Sequence, residues 1–354
     1  MSRFRVTDAP GLALELALGG PPSWLIRGLW PADAYGVLGA EDKAGKTWAV
    51  LDLAVSVATG TRWLDHFEVE GGPVLAFLGE GGPRNIVRRL EAIAANRKAS
   101  MDDLADLRLA PAVPVLSSAP DLADVRAELE DHPARLVIIE PLYLAAAGLK
   151  GSDLYAMGEA LGEIQRICEE ARAALVITTH WNKTGTGSDP SRFTGVGPTA
   201  WGRVLGSAAV ERRATESDGT SDVLLHWTFR GGEIADTEFR LRRRIRALDP
   251  EDLASPFSYQ VEVSPVAEGE AGAAGSELGW SALRVLAALE GADGEPIGVK
   301  TIGDAVAADG QGSPLRAVTI KRSLDELTQA GEADGGNGQW WSLAERAGFA
   351  DGSR

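Results

Sequence analysis

Short, nearly all-apolar runs alternate with stretches of helical spacing through much of the chain. Residues 36–39 (GVLG) are strand-like and lead into a polar loop. Behind that loop, residues 47–59 place Val50, Leu51, Ala54, Val57 and Ala58 at helical spacing, and Gly60 is a natural stop. Residues 73–78 (PVLAFL), 135–139 (RLVII) and 174–179 (ALVITT) are mostly apolar, as expected of strands covered on both faces of a parallel sheet. Residues 107–109 suggest a further short strand, and 84–95, 121–131 and 153–171 have helical spacing. Apolar strands separated by helices predict an α/β fold: a mainly parallel sheet flanked by helices. Beyond residue 200 the texture changes. Residues 223–229 and 238–244 alternate apolar with polar positions, which predicts an antiparallel extension.

Residues 266–277 (VAEGEAGAAGSE) are small and mildly acidic, the composition of a linker. After it, 282–289, 301–307 and 315–330 predict three helices, and 332–343 a hairpin with Gly335-Gly336-Asn337-Gly338 at its tip. Three helices followed by a hairpin is the plan of a winged helix, expected over 278–347 with a tail at 348–354.

An apolar share of 44% supports a large core. No uncharged apolar run reaches the roughly 18 residues of a membrane span, and the start of the chain lacks the basic-then-apolar pattern of a secretory leader, so a cytoplasmic location is expected. Cys168 is the one cysteine, which excludes an internal disulfide and leaves nothing to suggest a thiolate zinc site. The net charge of −16 argues against a broad surface for nucleic-acid phosphates. It leaves room for positive charge confined to a narrow channel.

The loop Ala40-Glu41-Asp42-Lys43-Ala44-Gly45-Lys46-Thr47 between strand and helix has the [Ala or Gly]-x-x-x-x-Gly-Lys-Thr form of a P-loop. Its backbone N–H groups are expected to point at the phosphates of ATP, helped by the helix N-terminus. Lys46 would supply a mobile cation, the Thr47 hydroxyl would coordinate Mg2+, and Gly45 would let the backbone approach phosphate. Ala40 stands where glycine is commoner, with Gly39 before it.

A P-loop ATPase also needs an acid at the end of a neighbouring apolar strand, on the metal side. Glu140, after RLVII, is the candidate, although aspartate is usual there; Asp153 is an alternative, and a solvated strand end is the plain reading. Glu80, among Gly79, Gly81 and Gly82 just past PVLAFL, is the candidate for polarising the attacking water; an ordinary loop glutamate is its plain reading. His180 follows ALVITT and opens His180-Trp181-Asn182-Lys183, either as a sensor of the γ-phosphate or as a capping residue.

Taken together, GAEDKAGKTW, FLGEGGPRNIVRRLEAI, RLVIIEPLYLAAAG and VITTHWNK resemble the RecA-like ATPases of the plasmid RepA-type hexameric helicase group, over roughly residues 20–245. The resemblance implies a RecA-like ATPase domain over 1–265. In it Lys46 and Thr47 bind phosphate and magnesium, Glu80 is the catalytic base, Glu140 takes the place of the metal-side aspartate and His180 senses the γ-phosphate. RVLGSAAVERR resembles the family's arginine-finger segment, so Arg212 or Arg213 would reach a neighbouring subunit's site, in a ring of about six copies.

The Gly-, Ser- and Thr-rich stretch between His180 and Arg203 would then face the channel. Lys183, Arg192 and Arg203 supply positive charge, and Phe193 and Trp201 offer stacking surfaces for single-stranded DNA. Arg240, Arg242, Arg243, Arg244 and Arg246 form the densest basic stretch, suited to nucleic acid or to an acidic neighbour. The second helix of the winged helix carries Lys321 and Arg322 beside Asp325 and Glu326, so either duplex DNA or a protein is its expected partner. These readings converge on an ATP-driven motor on single-stranded DNA, a replicative helicase of a plasmid, phage or integrated element. An ATP-dependent binding switch and a recombination protein are its rivals.

Overall fold

The computed structural model describes residues 6–18, 23–41, 43–149, 153–181, 193, 196–231, 234–252, 254–266, 280–292, 295–308, 317–329, 333–336 and 339–342. The chain divides into two units, Met1–Glu268 and Gly269–Arg354.

The first unit opens with α1 (Ala9–Leu18) and a small hairpin of β1 (Trp24–Ile26) and β2 (Trp30–Pro31). There follow β3 (Tyr35–Ala40), α2 (Lys46–Thr59), β4 (Val74–Leu78), α3 (Gly82–Asn96), β5 (Leu107–Ala110), α4 (Ala119–Asp131) and β6 (Leu136–Glu140). Next come α5 (Leu142–Ala145), α6 (Leu154–Glu170), β7 (Ala174–His180) and α7 (Val196–Trp201). Four long strands finish the unit: β8 (Val204–Thr215), β9 (Ser221–Gly231), β10 (Ile234–Ala247) and β11 (Phe257–Pro265). One nine-stranded sheet runs in the order β11-β10-β9-β8-β3-β7-β6-β4-β5. From β8 to β5 every pairing is parallel, while β8 through β11 pair antiparallel. This is the expected α/β fold with a mainly parallel central sheet flanked by helices, consistent with a RecA-like core.

The alternation of a strand's side chains divides the apolar runs between two cores. Val74, Ala76 and Leu78 of β4, Leu136 and Ile138 of β6, and Ala174 and Val176 of β7 face a core shared with α2 and α3. The intervening Leu75, Val137, Ile139, Leu175 and Ile177 face a second core with α4, α5 and α6. Neither phase is solvated, so these strands read as apolar without a polar rhythm.

Helix α2 is buried from Trp48 through Val57. The antiparallel strands supply its other wall: Val223, Leu225, Trp227, Phe229, Phe239, Leu241 and Tyr259 belong to the same core. Trp48 stacks on Tyr259 at 5.1 Å, and Trp63 meets Trp227 edge-on at 6.1 Å. A helix apolar on all sides is the form such enclosure requires. Inside that wall, Asp52 accepts hydrogen bonds from Arg97 (2.6 Å), Leu64 N (2.9 Å) and Tyr259 (2.9 Å), joining α2, the end of α3 and β11.

Several elements depart from the sequence reading, the short α5, α7 and β12 among them. β8 was not expected as a strand, because Gly206-Ser207-Ala208-Ala209 gives it no apolar alternation. β11 and α1 were also not expected, although β11 does alternate.

The second unit contains α8 (Trp280–Glu290), β12 (Ile297–Gly298), α9 (Val299–Ala308), α10 (Ala317–Gln329), β13 (Ala333–Gly336) and β14 (Gln339–Ser342). Val285, Leu289, Ile302, Val306, Ile320, Leu324 and Leu327 form its core, and β12-β14-β13 a small antiparallel sheet with Trp340 packed against that core. Among the described residues no helix is long and apolar enough to cross a membrane.

Candidate functional site

The same strand phase that feeds the α2 core also delivers the polar residues of the site. Glu140 follows Leu136 and Ile138 onto the α2 side, and His180 follows Ala174, Val176 and Thr178. Both emerge at the carboxyl ends of their strands, beside the first turn of α2, where ligands bind in open α/β sheets. β7 lies between the P-loop strand β3 and β6. Gly79 N donates to Glu140 O at 2.7 Å, which fixes Glu80 on the neighbouring strand end.

These residues line one cleft of about 540 Å³, with Lys43, Gly45, Lys46, Thr47, Trp48, Glu80, Arg89, Glu140 and His180 among its walls. Lys46 Nζ donates to Ala40 O and Glu41 O, both at 3.3 Å, and lies 3.1 Å from His180 Nδ1. The Thr47 hydroxyl hydrogen-bonds the carboxylate of Glu140, which is 3% exposed. Burial pushes the Glu140 carboxyl up to about 7; Thr47, Arg89 and Lys46 act against that and Glu80 adds to it. Arg89 stands 5.6 Å over the Trp48 ring, and its pKa is lowered by burial while Glu140 and Glu80 oppose the change.

Glu80 is half-buried and accepts a 2.6 Å hydrogen bond from the Tyr143 hydroxyl, and the Tyr143 ring lies 5.8 Å from the His180 ring. Tyr143 escaped the sequence reading. Its signal was its place three residues after Glu140, on the same strand-end loop.

Asp153, the alternative acid, caps α6 by accepting from Ala156 N at 3.0 Å. Asp42, Lys183 and Arg192 lie outside the described residues. Arg203 sits at the amino end of β8, where its N–H donates to Tyr35 O, so it is at the sheet edge opposite the P-loop; its guanidinium is 3.5 Å from Asp33. Phe193 is not a free stacking surface: it is 2% exposed, in a cluster with Val37, Trp181 and Ala209. Trp201 is committed too, packing at a tilt against the Tyr35 ring at 4.9 Å and donating Nε1–H to Gln165 at 2.8 Å. An aromatic in a glycine-rich stretch is as useful to a core as to a ligand.

The Arg240–Arg246 stretch divides by strand phase. Arg240 pairs with Glu211 (2.9 Å), Arg242 with Asp222 (2.7 Å), Arg244 with Glu216 (2.6 Å) and Arg246 with Asp218 (3.0 Å). The acids that partner this stretch are therefore the protein's own. Arg212 also bonds Asp222, at 3.1 Å. Arg213 and Arg243 point the other way, at the P-loop: Arg213 Nη2 donates to Lys43 O at 3.2 Å, and Arg243 Nη1 to Ala44 O at 2.8 Å and Gly45 O at 3.3 Å.

The residues present fit a magnesium-bound nucleoside triphosphate. A buried carboxylate and a hydroxyl touch at the start of α2, and an N-terminal turn with Lys46 and Arg243 beside it collects positive charge. Among the described residues no group of three His, Cys, Asp or Glu side chains could hold a metal by itself. Thr47 and Glu140 would hold a magnesium ion together with water and the phosphate oxygens of the nucleotide. The geometry is that of a P-loop nucleotide site. Residues 12–186 match the family model of an AAA domain, and this stretch carries the P-loop, Glu80, Glu140 and His180. No curated protein matches the chain.

Proposed function

We propose that this protein is an oligomeric ATPase motor acting on single-stranded DNA, in the manner of a replicative helicase. The observation that carries the reading is the chain of contacts Glu80–Tyr143–His180–Lys46, which links a water-activating carboxylate, a strand-end histidine and the P-loop lysine across the ends of four adjacent strands.

ATP with Mg2+ supplies the phosphoryl group and the charge that the site is built to meet. Lys46 leaves the Ala40 and Glu41 carbonyls for the terminal phosphates, and Thr47 and Glu140 hold the metal side. Glu80 orients and polarises the attacking water, which requires it to release the Tyr143 hydroxyl. His180, in contact with Lys46, reports the change to the stretch that follows it, and that stretch contacts the strand through Lys183 and Arg192. Arg212, half-exposed and on the face away from its own P-loop, serves as the finger into a neighbouring copy, so assembly is head-to-tail and closes as a ring of about six. The second unit acts as a winged helix that recruits duplex DNA or a protein.

Hydrolysis stimulated several-fold by single-stranded DNA, with displacement of a labelled strand from a forked duplex, is the expected result. A second reading, an ATP-dependent binding switch, draws on the internal pairing of the arginines on β10, which leaves little basic surface there for a strand to follow. ATP-dependent DNA affinity without strand displacement would select it.

A further inference from the structure

We infer that Arg213 and Arg243 are positioning residues of the nucleotide site, holding the P-loop from behind by its carbonyl oxygens so that its amide groups face phosphate. This rests on the nucleotide reading above and assigns the grip of the loop to strands that lie beyond residues 12–186, the stretch matched by the family model.

The placement comes from sheet register. Arg213 of β8 and Arg243 of β10 both pair with Val223 of β9, so the three form one lateral row and their side chains share a face. That face is the one toward α2. From it the two guanidinium groups reach three successive carbonyls, those of Lys43, Ala44 and Gly45.

A carbonyl and the next residue's N–H are two ends of one rigid, polar peptide unit. A cation bonded to Ala44 O fixes and polarises the N–H of Gly45, and one bonded to Gly45 O does the same for Lys46. In a P-loop these are groups that meet phosphate. The unit between Lys43 and Ala44 serves the turn itself, since Ala44 N donates to Glu41 O at 3.2 Å. Gly45 is glycine for two reasons. Its φ is +90°, and an added Cβ would lie 1.7 Å from Arg243 Nη1.

The electrostatics of this turn favour an anionic ligand. Arg243 is 5% exposed, and its Nε has no hydrogen-bond partner among the described residues. Its pKa is lowered to about 10, chiefly by burial; Tyr259 opposes that change, and Arg213 and Arg89 add to it. A buried cation at the positive end of a helix, near Lys46, is unfavourable on its own account. Delivery of a polyphosphate to the same turn reverses the sign of that interaction. The arginines on the other face, each given an acid, are not held in this state.

The test uses the full-length chain with Mg2+, a fluorescent ATP analogue for affinity, steady-state hydrolysis, and thermal melting for stability. Arg243→Gln is expected to weaken nucleotide affinity roughly tenfold, the value of one charge-assisted hydrogen bond. KM should rise more than kcat falls, and Arg243→Lys should recover part of the loss. Arg213→Gln, at a more exposed site, should weaken affinity by about two- to fivefold and serves as the measure where Arg243→Gln does not fold. A folded Arg243→Gln or Arg213→Gln protein with wild-type affinity and a lowered Tm would reduce the pair to structural ties and overturn the inference. Wild-type protein that fails to bind the analogue would instead remove the nucleotide reading itself.

Discussion

The two faces of the antiparallel strands carry the same residue, arginine, under opposite conditions. On one face Arg240, Arg242, Arg244 and Arg246 are each matched to an acid of the same chain and remain partly open to water. On the other, Arg243 is buried, has no carboxylate partner among the described residues, and holds the P-loop together with Arg213. A run of arginines is therefore not one patch. Strand phase sorts it, and what neutralises each guanidinium decides whether it ties the fold together or waits for a ligand.

Several experiments sharpen or break this contrast. The steepest is at the loop that the inner face supports. Lys46→Ala is expected to abolish measurable turnover in a phosphate-release assay, while Glu80→Gln retains ATP binding and stalls hydrolysis; full turnover by the Glu80 variant would remove it from the catalytic role. Next in size is the buried network on the inner side. Asp52→Ala strands Arg97 and Tyr259 in the core and is expected to lower stability by about 3–5 kcal/mol in denaturant unfolding.

Glu140 gives an effect of opposite sign. Its carboxyl is raised from 4.5 to about 7, so between those values the folded state holds a proton that the unfolded state has lost. Stability then falls as pH rises through that window, and above pH 7 the ionised, buried group costs roughly 3 kcal/mol. Glu140→Gln should therefore raise the Tm at pH 8 and have little effect near pH 4, while removing magnesium-dependent hydrolysis. A lower Tm at pH 8 would mean that Thr47, Arg89 and Lys46 outweigh burial. Smallest of all, Arg246→Ala on the outer face should change stability by less than about 1 kcal/mol, and less again in high salt. A larger loss would show that the acids there do more than neutralise.

Much of this arrangement was legible in the sequence, for stated reasons. The spacing from Ala40 to Thr47 leaves few alternatives once a strand precedes it and a helix follows. Acids that end apolar runs, such as Glu140, stand out because the runs have no polar rhythm of their own. β8 was illegible because its middle is built of small residues that pack closely against β3, without large apolar side chains to mark a phase. Arg243 was read as one of a cluster, although its position shares the phase of Phe239, Leu241 and Ile245, an inward one in which a cation is the exception. Phe193 misled for the converse reason: it lies in a polar stretch yet fills the space above Gly39, where a Cβ would come within 2.2 Å of its ring.

The enclosure of α2 has a consequence for how the domain comes apart. Because one helix serves as the inside of both the parallel and the antiparallel halves, neither can open without stripping it, and the two belong to one cooperative block. Amide protons of β10 should exchange with solvent as slowly as those of β3, far away along the chain, and nucleotide at the turn before α2 should slow both together.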